Sequence, residues 1–216
     1  MKDMNKYLIE LTERRPNLKD LVPEIEKVCS LIIESYKKDG KVLLCGNGGS
    51  CGDADHIVGE LMKSFALPRP LNHELKEKIT ALGESHLADK LQTPLRAINL
   101  STASALSTAF ANDVDRDYVF AQIALGYTDP GDVFFGISTS GNSMNVQYAA
   151  TTAKALGAYT VGLTGAGGGK MRESGIYDII LSVPEDITHF VQEEHIAVYH
   201  AICLCIEEEI FGGKNL

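Results

Sequence analysis

Residues 41–61, KVLLCGNGGSCGDADHIVGEL, pass from a short apolar run through a glycine-rich turn into a helical pattern. An apolar run of this length is typical of a strand that a parallel sheet buries on both faces. The turn offers an anion the free backbone N–H groups of a helix N-terminus. The stretch therefore predicts an α/β sheet with an anionic ligand near the carboxyl end of one strand.

The same order of apolar run, turn and helix recurs along the chain. Four more runs follow: RAINLST at 96–102, DVFFGISTSGNS at 132–143, AYTVGLTGAGGGKM at 158–171 and YDIILSVP at 177–184. Apolar strands that alternate with helices indicate a sheet covered on both faces. We predict a three-layer α/β sandwich with a five-stranded parallel sheet, extra N-terminal helices within 1–38 and a long C-terminal helix at 188–211.

One segment, residues 66–95, interrupts this rhythm. It carries three prolines, many charges and one predicted helix. A stretch of this length without a strand is expected to run over the surface as a lid or a subunit contact.

Composition narrows the class of protein. The chain has 216 residues, a formal net charge of −9 and no basic cluster, which argues against a nucleic-acid partner. No apolar run is long enough to span a bilayer, and the N-terminus lacks the apolar core of a secretory signal. Five cysteines without a Cys-x-x-Cys pair fit a reduced, cytoplasmic protein.

Two nucleotide motifs fail at the glycine-rich turns. A Walker A loop needs Ser or Thr after Gly-Lys, and here Met171 follows Lys170. A dinucleotide fingerprint needs a third glycine where this chain has Cys51. We therefore expect no nucleotide cofactor.

The loop after the third strand is rich in hydroxyl groups. Ser138, Thr139, Ser140 and Ser143 surround Gly141, just before a predicted helix N-terminus. Such a loop can hold a phosphate monoester without arginine. It can equally be a cluster of helix-capping residues, and the residues alone leave both interpretations open. Its place at the carboxyl end of a buried strand favours a ligand.

Two helical stretches carry candidate acid–base residues. His56 and Glu60 are four residues apart, and Gln192 and His200 are eight apart, so each pair shares a helix face. Surface pairs of this kind are common. His200, however, lies in the apolar run AVYHAICLCI, where a histidine needs a hydrogen-bond partner or a metal.

Taken together, the motifs resemble those of a known family. CGNGGS, AND at 111–113, GISTSGNS, LTG…GGK and VQEEHIAVYH are similar to the sugar isomerase (SIS) domain family, and most of all to its phosphoheptose isomerases. The resemblance implies a single SIS domain over 1–216, a sugar phosphate as ligand, and a homotetramer whose subunits share active sites.

The resemblance also implies roles for individual residues. Catalytic roles fall to Glu60 and His200. The substrate contacts are Asn47, Gly48, Gly49, Ser50, Glu60, Asn112, Asp113, Ser138, Thr139, Ser140, Ser143 and Gln192. Some family members hold zinc, one per subunit, and the matching ligands here are His56, Glu60, Gln192 and His200.

The implied reaction is aldose–ketose isomerisation, from sedoheptulose 7-phosphate to D-glycero-D-manno-heptose 7-phosphate through an enediolate. The chain departs from the family pattern in the long segment 66–95 and in His189, where an aspartate is usual. Two alternatives stay open: an isomerase of another sugar phosphate, and a non-catalytic sugar-phosphate or protein-binding module. The DnaA-initiator-associating protein is such a module, and it lacks the glutamate and histidine that match Glu60 and His200.

Overall fold

The computed structural model describes residues 5–213 and contains one parallel sheet. Its strands are β1 (Val42–Cys45), β2 (Ala97–Asn99), β3 (Val133–Ile137), β4 (Tyr159–Thr164) and β5 (Ile179–Ser182). The order across the sheet is β2-β1-β3-β4-β5, and every neighbouring pair runs parallel. The five predicted strands are thus confirmed.

Helices cover both faces of the sheet. Their bounds are α1 (Asn5–Arg14), α2 (Val22–Lys37), α3 (Gly49–Met62), α4 (His73–Ala81), α5 (Ser85–Lys90), α6 (Ser104–Phe110), α7 (Val119–Tyr127), α8 (Met144–Ala155), α9 (Gly169–Glu173) and α10 (Thr188–Phe211). The three-layer prediction and the long C-terminal helix are confirmed. Within residues 5–213, no helix is long and apolar enough to cross a membrane.

The sheet buries both of its faces. Leu43 and Phe134 lie in a core with α7 and α8, while their neighbours Leu44 and Phe135 lie in a core with α2, α3 and α10. All four side chains are at most 2% exposed. The period of two along each strand divides the apolar residues between the two faces, which explains why the strands are continuous apolar runs.

Chain order and sheet order diverge at β1. The chain passes from β1 to its neighbour β2 and then returns to the other side of β1 at β3. Connections that depart in opposite directions leave a crevice at the carboxyl ends of the strands, where open α/β sheets bind ligands. Loops 46–48 and 138–143 follow β1 and β3, so the two predicted ligand loops lie at this crevice.

Residues 66–95 form an excursion, but the prediction of one helix there was wrong, because α4 and α5 both lie in it. The two helices are only nine and six residues long, and among their side chains only Ala88 is buried, so the sequence carries little that separates one helix from the next. An antiparallel bridge between Pro70 and Gln92 joins the two ends of the excursion. The backbone N–H of Thr93 also donates to the carbonyl of Arg69 at 2.7 Å.

A buried ion pair ties the start of this excursion to α10. Arg69 Nε lies 2.6 Å from Glu207 Oε1, and both side chains are at most 1% exposed. The Glu207 carboxylate also accepts the backbone N–H groups of residues 65–67 at 2.7–3.0 Å. Arg69 in turn donates to the carbonyls of Leu61 at 2.6 Å and Glu60 at 3.2 Å. The pair therefore fixes the C-terminal turn of α3, where Glu60 lies.

Candidate active site

The loop after β3 forms a compact hydroxyl cage at the start of α8. Ser138 is buried, and its Oγ lies 3.0 Å from Ser143 Oγ. Ser143 occupies the N-cap position but makes no side-chain capping bond. The hydroxyls therefore do not serve as ordinary helix caps, which favours the ligand-binding interpretation of this loop.

A second loop, 165–169, packs against the cage. Gly141 adopts a φ of +68°, and a Cβ there would collide with the backbone of Gly168. The backbone N–H of Met171 donates to the Gly141 carbonyl at 3.0 Å. Lys170 Nζ lies 3.2 Å from the sulfur of Met144, the first residue of α8. A positive charge thus stands beside the cage, where phosphate would need it.

We expect Gly141→Ala to lower kcat/KM by about 10–100-fold, because a displaced cage misplaces the bound phosphate and the reacting carbons with it. Steady-state kinetics with the sugar phosphate measure the effect. The matched control is Gly167→Ala in the adjoining loop, where a Cβ would meet nothing within 4 Å. Equal kinetics for the two variants would contradict the cage.

The glycine loop after β1 is joined to the cage. Asn47 and Asn145 exchange two amide hydrogen bonds of 3.0 and 2.8 Å. Behind Asn47, a Cβ added to Gly49 would overlap the side-chain amide of Gln192. Asn47, Gly49 and Gln192 therefore lie together next to the hydroxyl cage, and Ser50, the second residue of α3, is buried. Their contacts with a substrate stay predictions.

A second cluster forms further along α3 and α10. His56 Nε2 lies 3.3 Å from Glu60 Oε1 and 3.3 Å from His200 Nε2. Lys63 Nζ lies 2.7 Å from Glu60 Oε2, and the ring of Phe65 lies 5.5 Å from that of His200. The structure thus brings together both predicted acid–base residues and adds a lysine that the sequence analysis did not include.

The surroundings of His200 keep it neutral. Burial, and then the neighbouring ring of His56, lower the pKa of His200, and Glu60 offsets this only in part. Near pH 7 its ring therefore carries one N–H and one lone pair, so that it can donate through one nitrogen and accept through the other.

His195, also on α10, belongs neither to the hydroxyl cage nor to the cluster of His56, Glu60 and His200. Its side chain is fully buried next to Thr164 at the end of β4. Burial lowers the pKa of His195 to about 4, so the residue packs as a neutral ring. His189 is exposed and lies three residues before Gln192, the residue that contacts the glycine loop. Its ring packs against that of Phe190, with 4.2 Å between the ring centres.

Within the described residues, Asn112 and Asp113 form no hydrogen bond to the hydroxyl cage or to the acid–base cluster. Both are exposed in a π-helical turn at Ala111–Asp115, and their side chains bond to each other at 2.9 Å. Their predicted contact with the substrate stays a prediction.

The four predicted zinc ligands do not fit one ion together in this arrangement. Neighbouring donors of a tetrahedral zinc lie about 3.3 Å apart, which matches the distances from His56 to Glu60 and to His200. Gln192, however, lies against Gly49, about 12 Å along α10 from His200. Among residues 5–213, no group of three or more His, Cys, Asp or Glu side chains is placed to hold a metal. Zinc stays a prediction, and no step below depends on it.

Comparison with known proteins identifies the family of this chain. A family model described as SIS domain matches residues 6–88 and 87–165. The phosphoheptose isomerase of Sulfurimonas denitrificans is 37% identical over 220 residues, which cover 98% of this chain and 100% of the relative. This chain belongs to the phosphoheptose isomerase family of SIS-domain proteins. The family member of Aneurinibacillus thermoaerophilus is 36% identical over 218 residues and 98% of each chain.

Solved structures agree with this family. The phosphoheptose isomerase GmhA from Neisseria gonorrhoeae superposes with a TM-score of 0.72 at 31% identity, over 96% of this chain and 98% of that one. A phosphoheptose isomerase from Francisella tularensis gives 0.74 at 27% identity, over 96% and 97% of the two chains.

Three residues of this SIS domain escaped the sequence analysis. Lys63 follows Glu60 at i+3, Asn145 is the second residue of α8, and Tyr199 precedes His200. The i,i+3 spacing could have suggested Lys63. Asn145 and Tyr199 depend on how loops and helices cross, and no local signal marks them.

Proposed function

We infer that this chain is an aldose–ketose isomerase that interconverts sedoheptulose 7-phosphate and D-glycero-D-manno-heptose 7-phosphate. The observation that carries the proposal is a carboxylate, Glu60, in contact with His56, which in turn contacts His200, in a chain that also keeps the hydroxyl cage. A binding module needs the cage but has no use for a base beside a neutral imidazole.

The residues divide the reaction between them. The cage at 138–143 holds the phosphate, and Asn47 with Gln192 contacts the sugar hydroxyls. Glu60 takes a proton from C1 or C2 and returns it to the other carbon, through a cis-enediolate. His200 takes the proton of one substrate hydroxyl on the free lone pair of its neutral ring and returns it to the other oxygen. Lys63 donates a hydrogen bond to Glu60 at 2.7 Å and offers positive charge to the enediolate.

Conversion of sedoheptulose 7-phosphate into an aldoheptose phosphate by the purified protein tests this function. Turnover of another ketose phosphate with a higher kcat/KM would replace the substrate but not the reaction class. Tight binding without turnover would instead support the binding-module alternative. In a cell, we place the reaction in the cytoplasm.

We also propose that the chain assembles as a homotetramer whose subunits share active sites. Glu60 lies eleven residues after Gly49, or about 16 Å along α3 from the glycine loop. The substrate has six carbon–carbon bonds of about 1.5 Å, so C1 and C7 are less than about 9 Å apart. A substrate of this length is too short to reach from the cage to the acid–base cluster of the same chain. A site that combines the cage of one chain with the cluster of another fits it better.

The surface of α1 and α10 favours the same assembly. A groove of about 180 Å³ lies between these helices and reaches His200. Ile196 lines this groove and is 40% exposed. Covering such a face against a second copy removes apolar area from water.

Subunit mixing tests the shared site. We expect Gly141→Ala and Glu60→Gln proteins, each with little activity, to regain activity when they are unfolded and refolded together. A mixed tetramer then contains sites with a native cage from one subunit and a native Glu60 from another. A monomeric mass in light scattering, or no regained activity in tetramers shown to be mixed, would refute the proposal.

A further inference from the structure

A buried tyrosine links His56 to a buried carboxylate. Tyr199, on α10, is 1% exposed, and its hydroxyl lies 2.9 Å from His56 Nδ1 and 3.4 Å from Asp53 Oδ1. Asp53 is 7% exposed and lies three residues before His56, on the same face of α3. The tyrosine ring meets the imidazole edge-on at 5.4 Å, so packing as well as hydrogen bonding holds the two rings.

The donors and acceptors of these three groups decide the direction of the hydrogen bonds. A carboxylate can only accept, a tyrosine hydroxyl has one proton to give, and a neutral imidazole has one N–H. Asp53 Oδ2 has no partner among the described residues, and Oδ1 pairs with the Tyr199 hydroxyl. If Tyr199 donated to His56, the buried carboxylate would lose this donor.

We propose that Asp53 and Tyr199 are positioning residues that hold the ring proton of His56 on Nδ1. Tyr199 donates to Asp53 and accepts from His56 Nδ1, which leaves the lone pair of His56 Nε2 to accept from His200. The Glu60 carboxylate, 3.3 Å from the same nitrogen, takes its shorter hydrogen bond from Lys63 at 2.7 Å. The role of His200 in turnover rests on the function proposed above, but the position of the His56 proton does not.

This arrangement also sets the proton of His200. Its Nε2 lies 3.3 Å from His56 Nε2, which can only accept, so the hydrogen bond between the two rings needs a proton on His200. His200 therefore donates from Nε2, and its own lone pair is on Nδ1, free to accept from a substrate hydroxyl. One directed chain of hydrogen bonds results: His200 to His56, His56 to Tyr199, and Tyr199 to Asp53.

Tyr199→Phe tests the proposal because it removes the hydroxyl and keeps the ring. The control is Tyr177→Phe, which removes a buried hydroxyl that has no partner among the described residues and lies in the other core of the sheet. Imidazole nitrogen shifts are measured by NMR at pH 8, above the pKa of about 6 to which burial raises Asp53. His56→Asn assigns the His56 signals.

In the parent protein and in Tyr177→Phe, we expect His56 to carry its proton on Nδ1. In Tyr199→Phe, we expect the proton to shift in part or entirely to Nε2. We further expect kcat to fall by about 10–100-fold in Tyr199→Phe, with KM within about twofold, as is typical when the partner that orients a site histidine is lost. Asp53→Asn should shift the His56 signals in the same direction.

A proton on His56 Nε2 in the parent protein would overturn the proposal. An unchanged tautomer in Tyr199→Phe would overturn it as well, whatever the kinetics. A fully active Glu60→Gln variant would refute the catalytic roles of the preceding section, while the nitrogen shifts would still decide the tautomer.

Discussion

Glu60→Gln is expected to lower kcat by about 10²–10⁴-fold while the sugar phosphate still binds. Glutamine has nearly the same shape as glutamate but cannot take up the proton from C1 or C2. The phosphate cage and the glycine loop are unchanged, so calorimetry should give a Kd close to that of the parent protein. His200→Asn should lower kcat in the same way, because the group that moves a proton between the substrate oxygens is lost.

The chain contains its own control for this experiment. His73 and Glu77 on α4 repeat the i,i+4 spacing of His56 and Glu60, at 3.5 Å, but the Glu77 side chain is 69% exposed. Glu77→Gln is therefore expected to leave kcat unchanged. Full turnover by Glu60→Gln would remove that residue from the mechanism, and a joint loss in both variants would mean that the assay responds to something other than the site.

The second large effect is on stability. We expect Glu207→Leu to lower the free energy of unfolding by about 3–5 kcal/mol, because Arg69 stays buried without its counter-ion. Three backbone N–H groups at residues 65–67 lose their acceptor as well. Urea unfolding followed by circular dichroism measures the change.

Two further variants interpret this result. Glu34→Gln removes a surface pair with Lys37 and should cost no more than about 1 kcal/mol. The double variant Arg69→Met with Glu207→Leu should recover part of the loss, since no uncompensated buried charge is left. A double variant less stable than Glu207→Leu would show that the hydrogen bonds of Arg69 to α3 matter more than its charge.

The stability from Glu207 should also depend on pH. Burial raises the pKa of Glu207, but the N–H groups of Phe65 and Ala66 together with Arg69 outweigh burial and lower it. A carboxyl with a lower pKa in the folded chain stabilises the fold above its unfolded pKa of about 4.3 and loses that effect as the pH falls through the folded value. The difference between parent and Glu207→Leu should therefore shrink in strong acid.

The layers of the fold could be predicted because each strand is a continuous apolar run, as expected for a sheet that helices cover on both faces. The second helix of 66–95 could not, because α4 and α5 are only nine and six residues long and Ala88 is their one buried side chain. The cage, His56, Glu60 and His200 could be located from spacing and from the family resemblance. Lys63 and Tyr199 could not, because their roles appear only when α3 and α10 pack side by side.

The separation of the cage from the acid–base cluster was also beyond the sequence. A motif gives only the order and spacing of residues in the sequence. The distance between their side chains on a helix depends on the rise per residue. Gln192 and His200 share a helix face, yet two helical turns place one at the glycine loop and the other beside His56.

The bridge between Pro70 and Gln92 has a consequence for how this chain tolerates change in length. Because the bridge and the Thr93–Arg69 hydrogen bond hold both ends of the α4–α5 hairpin together, residues between them can be removed, added or replaced without moving Glu60. The entropy of closing a loop grows slowly with its length, so a longer hairpin costs little. The tip of this hairpin is thus the natural position for a fused domain, tag or reporter, and a place where relatives can diverge in size while the chemistry stays fixed.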